Sequence, residues 1–123
     1  MSDVDKVELG LPAKKEYARL LRLAVAGIGN RMNFNFDYLE DLKIGLEEAY
    51  LLALRDPKQD RFNVTFEIYS DRLEVLVTGL GTIETLEEEQ SQRFGFSILS
   101  SVMDKVEWIK NNGTRNLRMV KNI

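Results

Sequence analysis

The chain has 123 residues, 44% of them hydrophobic and 30% charged, the balance of an ordinary soluble domain long enough to bury a core. A net charge of −3 and a pI near 5.1 argue against general affinity for nucleic acid, which needs an excess of Lys and Arg. With no Cys and no His, thiol catalysis, His-assisted nucleophiles and the usual zinc sites are excluded, and acid–base work is left to Asp, Glu, Lys or Tyr.

The acidic opening MSDVDKVELG lacks the apolar stretch of a signal peptide. No apolar run approaches the roughly 20 residues needed to cross a bilayer. A cytoplasmic protein without membrane contact is expected, built as a single domain over 1–123. Val7, Leu9 and Leu11 alternate with Glu8 and Gly10, predicting a short first strand that ends at Pro12. Tyr17, Leu20, Leu21, Ala24 and Ile28 recur at helical spacing, with Gly27 and Gly29-Asn30 as the expected stop.

A second helix is predicted over 37–55. Asp37 is its expected N-cap, with Glu40 three residues on reaching back to complete a capping box. Leu39, Leu42, Leu46, Ala49, Tyr50 and Ala53 fall on one face at about 100° per residue, which makes that face a packing surface. Asp41, Gly45, Glu48 and Leu52 repeat at one- and two-turn spacing on another line. A carboxylate, a glycine and an apolar side chain in one stripe fit a covered surface better than a solvated one.

The period then changes. Phe62, Val64, Phe66 and Ile68 alternate with Asn63, Thr65, Glu67 and Tyr69, and Leu73, Val75 and Val77 continue as a return strand after a tight Ser70-Asp71 connection. Thr78-Gly79-Leu80-Gly81-Thr82 breaks that strand, and 83–92 is polar and acidic, with Glu84, Glu87, Glu88 and Glu89. Phe94, Ile98, Leu99 and Val102 predict a third helix. Two last strands, over 106–110 and 117–120, flank Asn112-Gly113, a strong hairpin signal. The order strand, helix, helix, two strands, helix, two strands predicts an α+β fold, a two-layer sandwich with helices on one face of a mostly antiparallel sheet.

Four stretches in this order resemble the anti-sigma-factor serine kinases (RsbW-like) of the GHKL, histidine-kinase-like ATPase superfamily. They are Leu11-Pro12-Ala13-Lys14 with Glu16-Tyr17, then Asp41-Leu42-Lys43-Ile44 with Glu48-Ala49 and Ala53, then Asp71-Arg72-Leu73-Glu74-Val75, and Met103-Asp104-Lys105-Val106. The resemblance spans nearly the whole chain and implies the Bergerat-type sandwich. It also implies where a nucleotide site belongs, and there the chain departs from the family pattern.

Family members carry a Glu and, four residues on, an Asn that helps hold magnesium on the phosphates. Glu48 stands at the first position, the vestigial place of a catalytic base, and Leu52 at the second. Magnesium wants oxygen ligands in near-octahedral geometry, and an isobutyl group offers none. The adenine-reading Asp-x-Gly-x-Gly of the superfamily corresponds to Val77-Thr78-Gly79-Leu80-Gly81, with Gly79 in the place of the Asp and Gly81 in that of the first Gly. Loss of a hydrogen bond to a charged group, worth roughly 1.5–3 kcal/mol, weakens base recognition about ten- to a hundredfold. The phosphate-binding Gly-x-Gly turn corresponds to Arg93-Phe94-Gly95-Phe96, where Gly95 survives and Arg93 replaces the other glycine.

Each of these positions has a plainer reading beside the functional one. Glu48 as a general base competes with Glu48 as a surface charge inherited from an ancestor, and a base without metal or phosphate grip has nothing to act on. Gly79-Leu80-Gly81 reads as a turn before it reads as a ligand loop. Arg93 suits an anion or an interface equally, and Glu87-Glu88-Glu89 nearby would repel a triphosphate. Leu51, Leu52, Phe94 and Phe96 are expected to fill the former pocket.

The expectation is therefore a degenerate anti-sigma-kinase-like regulator that binds a protein, either a sigma factor or its antagonist. No cofactor and no metal are expected. By resemblance, Arg19 and Arg22 on the first helix face that partner, and a homodimer is the expected assembly. The alternatives are an active serine protein kinase using ATP and magnesium and, more weakly, a small-molecule sensor in the remodelled pocket.

Overall fold

A computed structural model of the protein describes residues 4–54, 60–78, 94–111 and 114–122. Strand β1 (Asp5–Pro12) leads through a 3-10 turn (Lys15–Tyr17) into helix α1 (Ala18–Arg31), followed by helix α2 (Phe36–Ala53). Strands β2 (Arg61–Ile68) and β3 (Arg72–Thr78) form a hairpin. Helix α3 (Phe94–Val102) precedes a second hairpin of β4 (Lys105–Asn111) and β5 (Thr114–Asn122). All pairings are antiparallel, in the order β1-β2-β3-β5-β4. The fold is the predicted α+β two-layer sandwich. Among the described residues, no helix is long and apolar enough to cross a membrane.

The alternation in β2 and β3 decides which sheet face receives the helices. Phe62, Val64, Phe66, Ile68, Leu73, Val75 and Val77 are buried, and with Leu117 and Met119 of β5 they form one inner face. Leu21, Val25 and Ile28 of α1, Leu42, Leu46 and Tyr50 of α2, and Leu99 and Val102 of α3 close the same core. The opposite sheet face is half-buried and charged: Glu74 accepts from Arg72 Nε at 2.7 Å and from Arg118 Nη2 at 2.8 Å, and Glu107 takes Arg118 Nη1 at 3.0 Å. Period two has separated core from solvent along β2 and β3.

Helix α1 does not stop at its glycines. It runs through Gly27 and Gly29, and the chain turns at Asn33, whose φ of 61° lies in the left-handed region. Phe34 N donates to Gly29 O at 3.0 Å and Asn33 N to Asn30 O at 3.2 Å, the two bonds of a Schellman close with asparagine at the left-handed position. Gly29 serves packing instead. A Cβ there would lie 2.5 Å from Leu39 Cδ1, so any larger residue would require the Leu39 side chain of α2 to shift.

The start of α2 also differs from expectation. Asn35 Oδ1 accepts from Tyr38 N at 2.8 Å, which makes Asn35 the N-cap; Asp37 lies inside the first turn, and Glu40 pairs with Lys43 at 2.6 Å instead of reaching back. The Ser70-Asp71 turn is as predicted, closed by Tyr69 N donating to Arg72 O at 2.9 Å. In the second hairpin the register sets Asn111 opposite Thr114. Asp104, between α3 and β4, donates its amide to Val120 O at 2.8 Å and accepts from Asn122 N at 2.6 Å, fastening the corner to β5.

Candidate functional site

Helix α2 is the middle helix, packed against α1 on one side and α3 on the other. The predicted packing face is the observed one: Leu42, Leu46, Ala49, Tyr50 and Ala53 are buried, with Leu39 half-buried at the margin. The second stripe meets α3. At Gly45 a Cβ would sit 2.4 Å from Leu99 Cγ and 2.5 Å from Cδ2, so Leu99 occupies the space that any larger side chain would take. Asp41 and Glu48, one turn to either side, are half-buried. The cover that the stripe's composition calls for is therefore helix α3, at least at its centre.

Of the residues assigned to the nucleotide positions, the structure places some and not others. Glu48 is on α2 in the stripe that faces α3, and Leu52 lies one turn further along the same helix, with its side chain outside the described part. Gly95 falls in the first turn of α3. Gly79, Gly81 and Arg93, like the acidic stretch 83–92, lie outside the described residues, as do the side chains of Phe94 and Phe96. Leu51 does not join the stripe that meets α3, as expected of a pocket filler; it is half-buried on the opposite side of α2, against α1. The reason is angular, since 100° per residue separates Leu51 from Leu52. Among the described residues no three acidic side chains converge as a metal-ligand group.

A groove of about 380 Å³ runs between the start of α1 and the end of α2. Lys15, Glu16, Ala18, Arg19 and Arg22 form one wall, and Glu47 with Leu51 the other. Arg22 Nη1 is bonded to Glu47 Oε2 at 2.7 Å, which spans the groove and fixes one of its three cations. Arg19 is exposed. The two arginines assigned to a partner thus share one surface, and the sequence did not reveal that α2 supplies half of it.

Tyr50 is the residue whose role beyond packing spacing alone does not disclose. It is fully buried, edge-on to Phe62 at 4.9 Å between ring centroids. Its hydroxyl lies 2.7 Å from Pro12 O, also contacts Lys14 O, and accepts from Lys14 N at 3.2 Å. Burial raises its pKa above the ordinary 10.0, against the lowering effect of the Lys14 backbone bond. A phenol can donate one hydrogen and accept another, and here both capacities meet the connection from β1 to α1. The hint in the sequence is a tyrosine on an otherwise hydrocarbon face, because a buried hydroxyl requires a partner.

No family model matches the chain. Among curated proteins it is similar to the serine-protein kinase RsbW of Oceanobacillus iheyensis, with 32% identity covering 87% of this chain and 80% of the relative. The serine-protein kinase RsbW of Bacillus mycoides is 34% identical over 92% of this chain and 70% of its own length. That of Bacillus pumilus is 30% identical over 89% and 82%. Identity at this level across most of both chains, together with the sandwich and its middle helix, establishes that the chain belongs to the RsbW serine-protein kinase family.

Proposed function

We propose that this protein is a regulatory member of its family that works by binding another protein, a sigma factor or the antagonist of one, with ATP binding weak or lost. The observation that carries the reading is on α2: Glu48 is followed one turn later by Leu52, so a hydrocarbon stands where the family pattern places an oxygen ligand for the magnesium ion on the phosphates. The protein's share of a magnesium site is then one oxygen ligand poorer, which favours weakened binding of Mg-ATP. Leu99 seated on Gly45 supports the same reading, because it fills the middle of the stripe with side chain. Sequestration needs only a surface, and the groove sets Lys15, Arg19 and Arg22 against Glu16 and Glu47, a small excess of positive charge that favours an acidic segment.

Thermal melting of the purified protein with increasing Mg-ATP tests this. A ligand at a hundred times its Kd adds roughly 2.7 kcal/mol of stability, a shift of several degrees. The expected result is no shift at millimolar Mg-ATP, together with co-purification of a protein partner from the native cell. A clear shift that disappears in Glu48→Ala would instead favour the second reading, an active serine protein kinase with Glu48 as base. That alternative has in its favour the retained Glu48 and the kinase relatives.

A further inference from the structure

The partner-facing groove begins one residue after the segment that Tyr50 holds. The Tyr50 hydroxyl accepts from the Lys14 amide, which also donates to Pro12 O at 2.8 Å, and shares its one hydrogen between Pro12 O and Lys14 O; Lys15 and Glu16 are the next two residues, already in the groove wall. Lys14 O also accepts from Tyr17 N at 3.1 Å, the bond that closes the 3-10 turn leading into α1. On the other side, Glu47 and Leu51 bracket Tyr50 within one turn of α2 and form the opposite wall. Both walls are therefore referred to one buried hydroxyl.

We propose that Tyr50 is a positioning residue that holds the Lys15–Tyr17 turn and the start of α1 in one pose on α2, so that the docking groove is formed in the free protein and does not wait on a ligand. The inference rests on the protein-binding reading and adds to it the means by which the surface is set. The backbone hydrogen bond from Ala13 N to Asp60 O at 2.9 Å holds the strand end, but it lies on the sheet side of the turn and does not reach α2. Among the described residues the hydroxyl ties α2 to the backbone of Pro12 and Lys14, while the half-exposed Arg22–Glu47 pair ties it to α1 further along the groove. The hydroxyl is also dry: with the ring against Phe62 and the side chain fully buried, water does not readily compete for its bonds.

Residue-level amide exchange on the full chain, with and without Mg-ATP, tests the proposal. Tyr50→Phe keeps the ring and removes only the oxygen. The Lys14 and Tyr17 amides should exchange roughly three- to tenfold faster in the variant, the effect expected of one lost hydrogen bond. The Phe66 and Val75 amides should change far less. As a control, Phe66→Leu loosens the core without touching the hydroxyl, and it should accelerate the strand amides more than Lys14. Unchanged exchange at Lys14 and Tyr17 in Tyr50→Phe, or equal acceleration everywhere, overturns the proposal. So does a change in the wild-type Lys14 or Tyr17 rates on adding Mg-ATP. Failure of the underlying reading registers separately, as a Mg-ATP melting shift.

Discussion

Leu99 of α3 lies against Gly45 of α2 so closely that a single added carbon at position 45 would fall 2.4 Å from its Cγ. The contact joins the two helices at the centre of the stripe that also carries Asp41 and Glu48. Glycine inside a helix forgoes about 0.8–1.0 kcal/mol relative to alanine. That deficit is retained here because the backbone of α2 must come within reach of Leu99, which is fully buried.

Gly45→Ala sets those two effects against each other. The helix gains its propensity term, while overpacking against a buried leucine costs typically 1–3 kcal/mol. A net loss of about 0–2 kcal/mol is expected from urea unfolding. Leu99→Ala alone should cost about 2–5 kcal/mol through the cavity it opens. In the double variant the new methyl enters that cavity, so the combined loss should be smaller than the sum by at least ~1 kcal/mol. Strict additivity would mean that the two side chains do not meet.

Glu74 sets the acid limit of the outer sheet face. Its carboxyl is held below the ordinary value of 4.5, first by the Arg72 hydrogen bond, against the opposing effect of burial, and then by Arg118. A lowered folded value means that the unfolded chain takes up the proton first as pH falls. The contribution is therefore present above 4.5 and is lost as pH drops through the folded value. Stability followed by urea midpoint should fall more steeply below that point in the wild type than in Glu74→Gln. The gap between the two should be widest near neutrality and close towards strong acid. A constant gap across the range would place the ionisation elsewhere.

How much of this could be read from the chain depends on whether the determining contact is local. Phe62 to Ile68 announced the inner sheet face because burial in a strand repeats every second residue, and Leu42, Leu46 and Tyr50 announced the packing face of α2 in the same way. Helix ends were less legible. Gly29 has the composition of a stop, yet its reason is Leu39, ten residues away and on another helix. Asn33, the actual left-handed residue, carries no stronger local signal than its neighbours Asn30 and Asn35. The stripe Asp41, Gly45, Glu48 declared itself covered, but not by what. Tyr50 is the extreme case: its hydroxyl partners lie 36 and 38 positions earlier, beyond any helical or strand period.

The cap of α2 gives a direct comparison of the two candidates. Asn35 Oδ1 satisfies the Tyr38 amide at 2.8 Å, whereas Asp37 sits within the first turn as an exposed side chain. Asn35→Ala should lower stability by about 1 kcal/mol, the usual effect of losing an N-cap. Asp37→Ala removes only a favourable charge near the helix N-terminus and should lower it by about 0.3–1 kcal/mol at low salt and less at high salt. Melting both variants at two ionic strengths separates the mechanisms. A salt-insensitive loss confined to Asp37→Ala would return the cap to that residue.

Arg19 and Arg22 share a groove but not an environment, and this predicts different behaviour from variants of equal chemistry. Arg22 is tied to Glu47 at 2.7 Å across the groove, with 40% of its side chain and 27% of its partner's still exposed. Such pairs contribute about 0.2–1 kcal/mol, so Arg22→Ala should change stability little, and Arg19→Ala still less. Binding should respond in the reverse order. On the proposed docking, Arg19 would meet the partner with its charge uncommitted to any ion pair found among the described residues, whereas Arg22 would first have to be released from, or shared with, Glu47. Arg19→Ala should then weaken capture of the co-purified partner about tenfold or more, in line with the loss of a charge-assisted contact, and Arg22→Ala less. Glu47→Gln frees Arg22 without removing it and should strengthen binding to an acidic partner. If Glu47→Gln weakens that binding instead, Glu47 is itself a contact and the partner brings a cation to this groove.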